Sequence, residues 1–213
     1  MNWTIVAQGV VWNATLALIP VGAGYAFRTI INIRGKPAAR FFVSTILGAI
    51  WFAFLPNTCY LLTEWRHFLV ALDARNLFLK ARVDSVYFIE FVVFSLFYFL
   101  YSSFGMLTFA LAIRPVERSA MKGGLAIRVW AFPFFAIVSL GVYLGLVLRF
   151  NSWDLLVRPA TVWKAIMEIT HRPLLAIFIA AFGLFLWVAY EALDIWIDGL
   201  KWRLTNRRNA TTD

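Results

Sequence analysis

The length of its uncharged stretches restricts this chain more than any other feature. Residues 3–27, 41–62 and 129–148 contain no Lys, Arg, Asp or Glu; residues 86–113 contain only Glu90, and residues 174–197 only Glu191 and Asp194. A helix rises about 1.5 Å per residue, so roughly 20 apolar residues cross the ~30 Å of hydrocarbon in a bilayer. Each stretch reaches that length. Soluble domains carry roughly half apolar and about a quarter charged residues, whereas this chain is 62% hydrophobic and 15% charged. The expected fold is all-α: an integral membrane bundle of about five transmembrane helices, forming a single transmembrane domain over residues 1–213.

The second span contains Pro56. Ending it there would leave residues 41–55, about 22 Å and too short to cross, so the helix is expected to continue through a proline kink to Leu62. Between spans two and three, Leu61, Trp65, Phe68, Leu69 and Leu72 recur at helical spacing, which predicts an amphipathic helix lying in the interface. A second interfacial helix is expected between spans four and five, where Pro159 suits a helix start and Val162, Trp163, Ile166 and Ile169 follow. No Lys or Arg precedes the first apolar stretch, so it is read as a retained span rather than a signal peptide. Gly141-Val-Tyr-Leu-Gly145 is a small-xxx-small surface suited to close packing inside the bundle.

The net charge of +9 raises the question of a nucleic-acid partner. The basic residues, however, lie in short connectors between apolar spans, where they set orientation, and no soluble patch exists to carry nucleic acid. Membrane lipids are the expected partners. With five spans, Arg66, Arg75, Lys80, Arg82, Arg149, Arg158, Lys164 and Arg172 face one side. The remaining 12 of the 20 Lys and Arg face the other, led by Arg28, Arg34, Lys36 and Arg40 directly after span one. The positive-inside rule then places the N-terminus outside and the C-terminus inside. Trp3, Trp65, Trp153 and Trp163 fall at the outer boundary, and Trp130, Trp196 and Trp202 at the inner one. At the inner end of span five, Glu191, Asp194 and Asp198 form a stripe whose expected partners are Lys201 and nearby arginines. Cys59 is the only cysteine, so no intrachain disulfide forms.

Uncommon polar residues gather on the outer side, in the loops around residues 57–90 and 149–171. Glu90 lies little more than a turn inside span three, where a lone charge is costly, and Arg149 closes span four within snorkelling reach. The candidate ligand-binding set is Asn57, Tyr60, Thr63, Glu64, Arg66, His67, Glu90, Arg149, Asn151, Trp153, Asp154 and Arg158. Two stretches carry most of it: Phe54-Leu-Pro-Asn-Thr-Cys-Tyr-Leu-Leu-Thr-Glu-Trp-Arg-His-Phe68 and Leu148-Arg-Phe-Asn-Ser-Trp-Asp-Leu-Leu-Val-Arg-Pro159. Together they resemble the hallmarks of the domain-of-unknown-function family 1361, with Glu64 and Glu90 where that pattern carries Asp. The resemblance extends to Gly105 in span three. It implies a polytopic membrane protein of the bacterial cytoplasmic (inner) membrane, and no particular reaction.

Each of the two histidines follows a glutamate by three residues, in Glu64-Trp-Arg-His67 and Glu168-Ile-Thr-His171. On a helix such a pair shares one face and can offer a carboxylate and an imidazole to one ion. Paired Glu-x-x-His motifs with further carboxylates build di-metal sites in helical bundles. Glu64, His67, Glu90, Asp154, Glu168 and His171 are therefore the candidate ligands for a divalent metal. Phosphate-loop, nucleophile-elbow and His-Glu-x-x-His patterns are absent. Three readings follow: a protein whose extracytoplasmic polar cluster binds an anionic or lipid-head-group ligand, a metal-dependent membrane enzyme, or a small transporter or accessory subunit of a membrane complex. A homo-oligomer is compatible with each.

Overall fold

The positions of seven prolines explain where helices begin and why the long ones do not stop. Pro37, Pro159 and Pro173 each open a helix, where a missing N–H costs nothing because first-turn donors have no intrahelical partner. Pro20, Pro56, Pro115 and Pro133 lie inside helices that continue past them. The computed structural model describes residues 3–33, 36–63, 65–122, 127–151 and 154–210, and among these the regular structure is entirely helical.

The long helices are α1 (Trp3–Asn32), α2 (Pro37–Thr63), α5 (Ser85–Lys122), α6 (Ile127–Leu146) and α9 (Pro173–Ala210). Shorter ones connect them: α3 (Trp65–Ala74), α4 (Leu77–Lys80), α7 (Asp154–Val157) and α8 (Pro159–Thr170). By length and composition α1, α2, α5 and α9 are able to cross a membrane. Helix α6 is shorter: it has 20 residues, about 30 Å, with Arg128 in its first turn and an apolar stretch of Trp130–Leu146. Phe41, Phe88, Ile89, Leu174 and Ile195 all point outward. Large apolar side chains would not cover the outside of a soluble protein in this way, and the chain is an integral membrane protein.

The bundle has two layers. Helix α1 packs on α2 and α5, which also pack on each other, while α6 packs on α9. Contacts of α2 with α6 and of α5 with α9 join the layers, and Leu55, Cys59, Phe109, Phe135 and Leu186 fill the core between them. Two short helices lay one apolar side on this bundle. Phe68 of α3 meets Phe94 and Tyr98 of α5 while Leu69 and Val70 face outward. On α8, Val162 and Ile169 are buried and Trp163 is exposed. A left-handed residue, Asn76 at φ 49°, separates α3 from α4.

Helix α2 runs through Pro56 to Thr63, as the length argument requires. Helix α5 departs from expectation: the charges after Ile113 suggest a connector, yet the helix continues through Pro115 to Lys122. Pro115 leaves the Leu111 carbonyl without its helical donor, and at the neighbouring residue the Trp51 indole Nε1 donates to the Ala112 carbonyl at 2.8 Å. Helix α9 likewise extends through the basic tail to Ala210, where Lys and Arg are good helix formers and complement the dipole at a C-terminus.

Candidate functional site

Small residues decide how closely α2 can approach its neighbours. Across α5, a Cβ added at Gly105 would lie 2.6 Å from Leu61 Cβ and 2.8 Å from the Thr58 carbonyl oxygen. Next to it, Ser102 Oγ donates to the Leu61 carbonyl at 3.3 Å. Across α6, a Cβ at Gly141 would lie 2.7 Å from Pro56 Cγ, and one at Gly145 would overlap the Tyr60 hydroxyl. The small-xxx-small face of α6 is thus filled by Pro56 and Tyr60 of the same chain, with Tyr60 Oη donating to the Gly141 carbonyl at 3.4 Å.

Below this seam α6 ends and the second motif turns back. Arg149 takes a left-handed conformation at φ 58°, and the Phe150 N–H returns to the Leu144 carbonyl at 3.1 Å, which closes the helix as C-terminal caps do. The Asn151 N–H donates to Asp154 Oδ2 at 2.7 Å. Arg158 then donates to Asp154 Oδ1 through Nη2 at 2.7 Å and Nε at 3.2 Å. The Asn151 N–H first, and Arg158 second, hold the Asp154 carboxyl below the usual carboxylate range. A depressed acid stabilises the turn fully above that range and loses its effect only as pH falls through the folded-state value.

Between α2, α6 and α8 this geometry leaves a cavity of about 160 Å³. Pro56 and Tyr60 from the first motif and Phe150 and Asn151 from the second line it, with Phe52, Ile137, Leu144, Val162 and Ile166 supplying apolar walls. The two motif stretches therefore meet at one cavity. Most of the other candidate residues are engaged elsewhere. Glu90 pairs with Arg75 at 2.6 Å, so the expected approach of Arg149 to Glu90 gives way to a nearer cation carried in by α3 and α4. Thr63 Oγ1 donates back to the Tyr60 carbonyl at 2.7 Å, Asn57 is buried within α2, and His67 lies on the exposed side of α3. Glu64 and Trp153 lie outside the described residues, as does the side chain of Arg66.

The metal-ligand set does not assemble among the described residues, where no three His, Cys, Asp or Glu side chains come together. The physical reason is placement. Helix α3, with His67, packs on α4 and α5, whereas α8, with Glu168, packs on α7 and α9 and ends at His171. Asp154 and Glu90 are already committed to arginines.

A second polar cluster sits at the other end of α6, and the sequence reading pairs it wrongly. Among the described residues the ion pairs of Asp194 and Asp198 are with α5 rather than with Lys201. Arg114, 3% exposed, reaches Asp194 Oδ1 through Nε at 2.6 Å and Asp198 Oδ1 through Nη2. Arg118 Nη2 meets Asp198 Oδ2 at 2.6 Å and Asp194 at 3.8 Å. Arginines four apart on one helix thus face aspartates four apart on another. That matched spacing is legible in the sequence, although nothing local links the two pairs. Beside the quartet, the Tyr190 hydroxyl donates to Glu117 and Trp187 Nε1 donates to Glu191 Oε1 at 3.1 Å.

No curated protein and no solved structure matches the chain. The profile of the family described as "Protein of unknown function (DUF1361)" matches residues 12–189, which include both motif stretches, the α2–α6 seam and Arg114. By that match, the chain belongs to the DUF1361 family.

Proposed function

We propose that the protein holds the head group and first carbons of an anionic amphiphile, a lipid-like molecule with a charged head group, in the cavity between α2, α6 and α8, the rest of its chain lying outside the cavity in the bilayer. The carrying observation is that one cavity of about 160 Å³ joins the two motif stretches, with apolar walls for a chain and Tyr60 and Asn151 for a head group. Arg149 adds an exposed cation at the adjoining turn, with no salt bridge among the described residues. Its planar fork suits phosphate and carboxylate oxygens. The test is lipid retention after purification in detergent, read by native mass spectrometry with phosphatidylglycerol and phosphatidylcholine as probes. Phosphatidylglycerol is expected to be retained preferentially, and Arg149→Gln to lower its retention about tenfold, in line with loss of one charge-assisted contact. Equal retention of both lipids, unchanged by Arg149→Gln, would refute the reading.

In the same reading the protein lies in a bacterial cytoplasmic membrane, N-terminus outside and C-terminus inside, with the cavity at the outer boundary. The excess of Lys and Arg after span one supports that orientation. In a Cys59→Ala background, a cysteine placed at Asp73 is expected to react with a membrane-impermeant thiol reagent in intact cells, and one at Asn209 to be protected. The reverse pattern would place the cavity on the cytoplasmic side.

A further inference from the structure

A larger cavity lies at the other end of α6, beside the ion quartet, and its walls differ in kind from those of the first. It measures about 200 Å³ and is lined by Trp51, Trp130, Phe134 and Trp187 together with Glu117 and Glu191. Trp51 and Phe134 stack on each other in parallel, ring centroids 5.8 Å apart and planes 6° from alignment, which fixes this part of the aromatic wall. Trp130, 63% exposed, forms the wall of the cavity nearest the bundle surface.

Charge gives the cavity its preference. Arg114 and Arg118 neutralise Asp194 and Asp198 within the quartet. Among the described residues the hydrogen bonds to Glu117 and Glu191 come from neutral donors, Tyr190 and Trp187, each on one carboxylate oxygen, and Arg118 lies near Glu117 while bonded to Asp198. Among the described residues that line the cavity there is no Lys, Arg or His. Aromatic faces carry negative potential and attract cations by their quadrupoles, most strongly when the cation is poorly hydrated. An alkylated ammonium meets both conditions, because its methyl groups suit the apolar walls and its charge suits the two carboxylates. An anion or a neutral apolar molecule satisfies only the walls. The volume confines the occupant to a few heavy atoms, well below drug size.

We propose that this cavity binds a small organic cation of the quaternary or alkylated ammonium class, independently of the amphiphile site. The experiment is equilibrium dialysis of radiolabelled tetramethylammonium against the intact chain in neutral detergent. Neopentyl alcohol, a neutral molecule of similar size, serves as competitor. Saturable binding is expected, with neopentyl alcohol competing at least about tenfold more weakly than unlabelled tetramethylammonium. Glu117→Gln and Glu191→Gln are each expected to weaken binding about tenfold, and Trp187→Leu to do the same. Glu191 is exposed on α9, so its substitution keeps the test decisive should Glu117→Gln disturb the fold. Absence of saturable binding, equal competition by the alcohol, or wild-type affinity in Glu191→Gln would overturn the proposal. Arg149→Gln is expected to leave tetramethylammonium binding unchanged, which separates this site from the first.

Discussion

Arg114→Met is expected to lower the stability of the purified protein by about 3 kcal/mol, the lower end of the cost of breaking a buried ion pair by removing one partner. Arg114 has only 4% of its side chain exposed and spans both aspartates of α9, Asp194 at 25% and Asp198 at 49% exposure. Without it, two carboxylates four residues apart face each other with Arg118 alone between them, and the contact between α5 and α9 loses its centre. The lower end of the range is appropriate because Asp198 keeps access to water. Arg118→Met is the control: its side chain is 33% exposed, and exposed pairs contribute about 0–1 kcal/mol. Arg114→Lys should fall between the two, since a single ammonium keeps the charge but cannot bridge both carboxylates with a planar fork. Unfolding in a denaturing detergent titration, followed by tryptophan fluorescence, measures all three. Equal stability of Arg114→Met and Arg118→Met would show that the quartet does not hold the layers together.

Gly105→Ala is expected to cost about 2 kcal/mol, within the range for forcing extra atoms into a packed contact. The new methyl would lie 2.6 Å from Leu61 Cβ and 2.8 Å from the Thr58 carbonyl. Neither atom is the end of a flexible side chain, so α2 must shift as a helix, and the Ser102–Leu61 hydrogen bond is strained with it. Gly145→Ala provides an instructive contrast. Its methyl would meet the terminal hydroxyl of Tyr60 rather than backbone. Combining it with Tyr60→Ala should therefore recover part of the loss, a coupling that a double-mutant cycle in the same titration reports. No small substitution in α2 offers comparable relief at Gly105, because the Thr58 carbonyl belongs to every residue type.

Much of this architecture follows from local pattern. The apolar runs mark the spanning helices, the length argument carries α2 through Pro56, and the spacing of Gly141 and Gly145 identifies a close contact that Pro56 and Tyr60 fill. The amphipathic periodicities around Phe68 and Val162 correspond to α3 and α8. What the sequence conceals is the choice among distant partners. Arg114 and Pro115 read as the start of a connector until Asp194 and Asp198 are brought opposite them, 80 and 84 residues later. Glu90 invites pairing with Arg149 by topology, but the left-handed turn at Asn76 brings Arg75 to it first. Asp154 reads as a ligand because of its charge, whereas its oxygens close a turn with Asn151 and Arg158. In each case residue type and depth are legible, and a loop conformation or a remote helix decides the partner.

The separation between Arg114 and Asp198 also has a meaning in time. A ribosome delivers roughly 5–20 residues per second, so Arg114 emerges some 4–17 s before the acid that will neutralise it, 84 residues downstream. During that interval α1, α2 and α5 can dock on one another while a guanidinium destined for burial still needs water or a lipid phosphate. A nascent chain halted before α9 keeps that charge uncovered. The quartet thus closes only once Asp194 and Asp198 have arrived, so a chain halted between Arg114 and Asp194 differs from one that has passed Asp198 by an unneutralised guanidinium on the face of α5 that α9 covers.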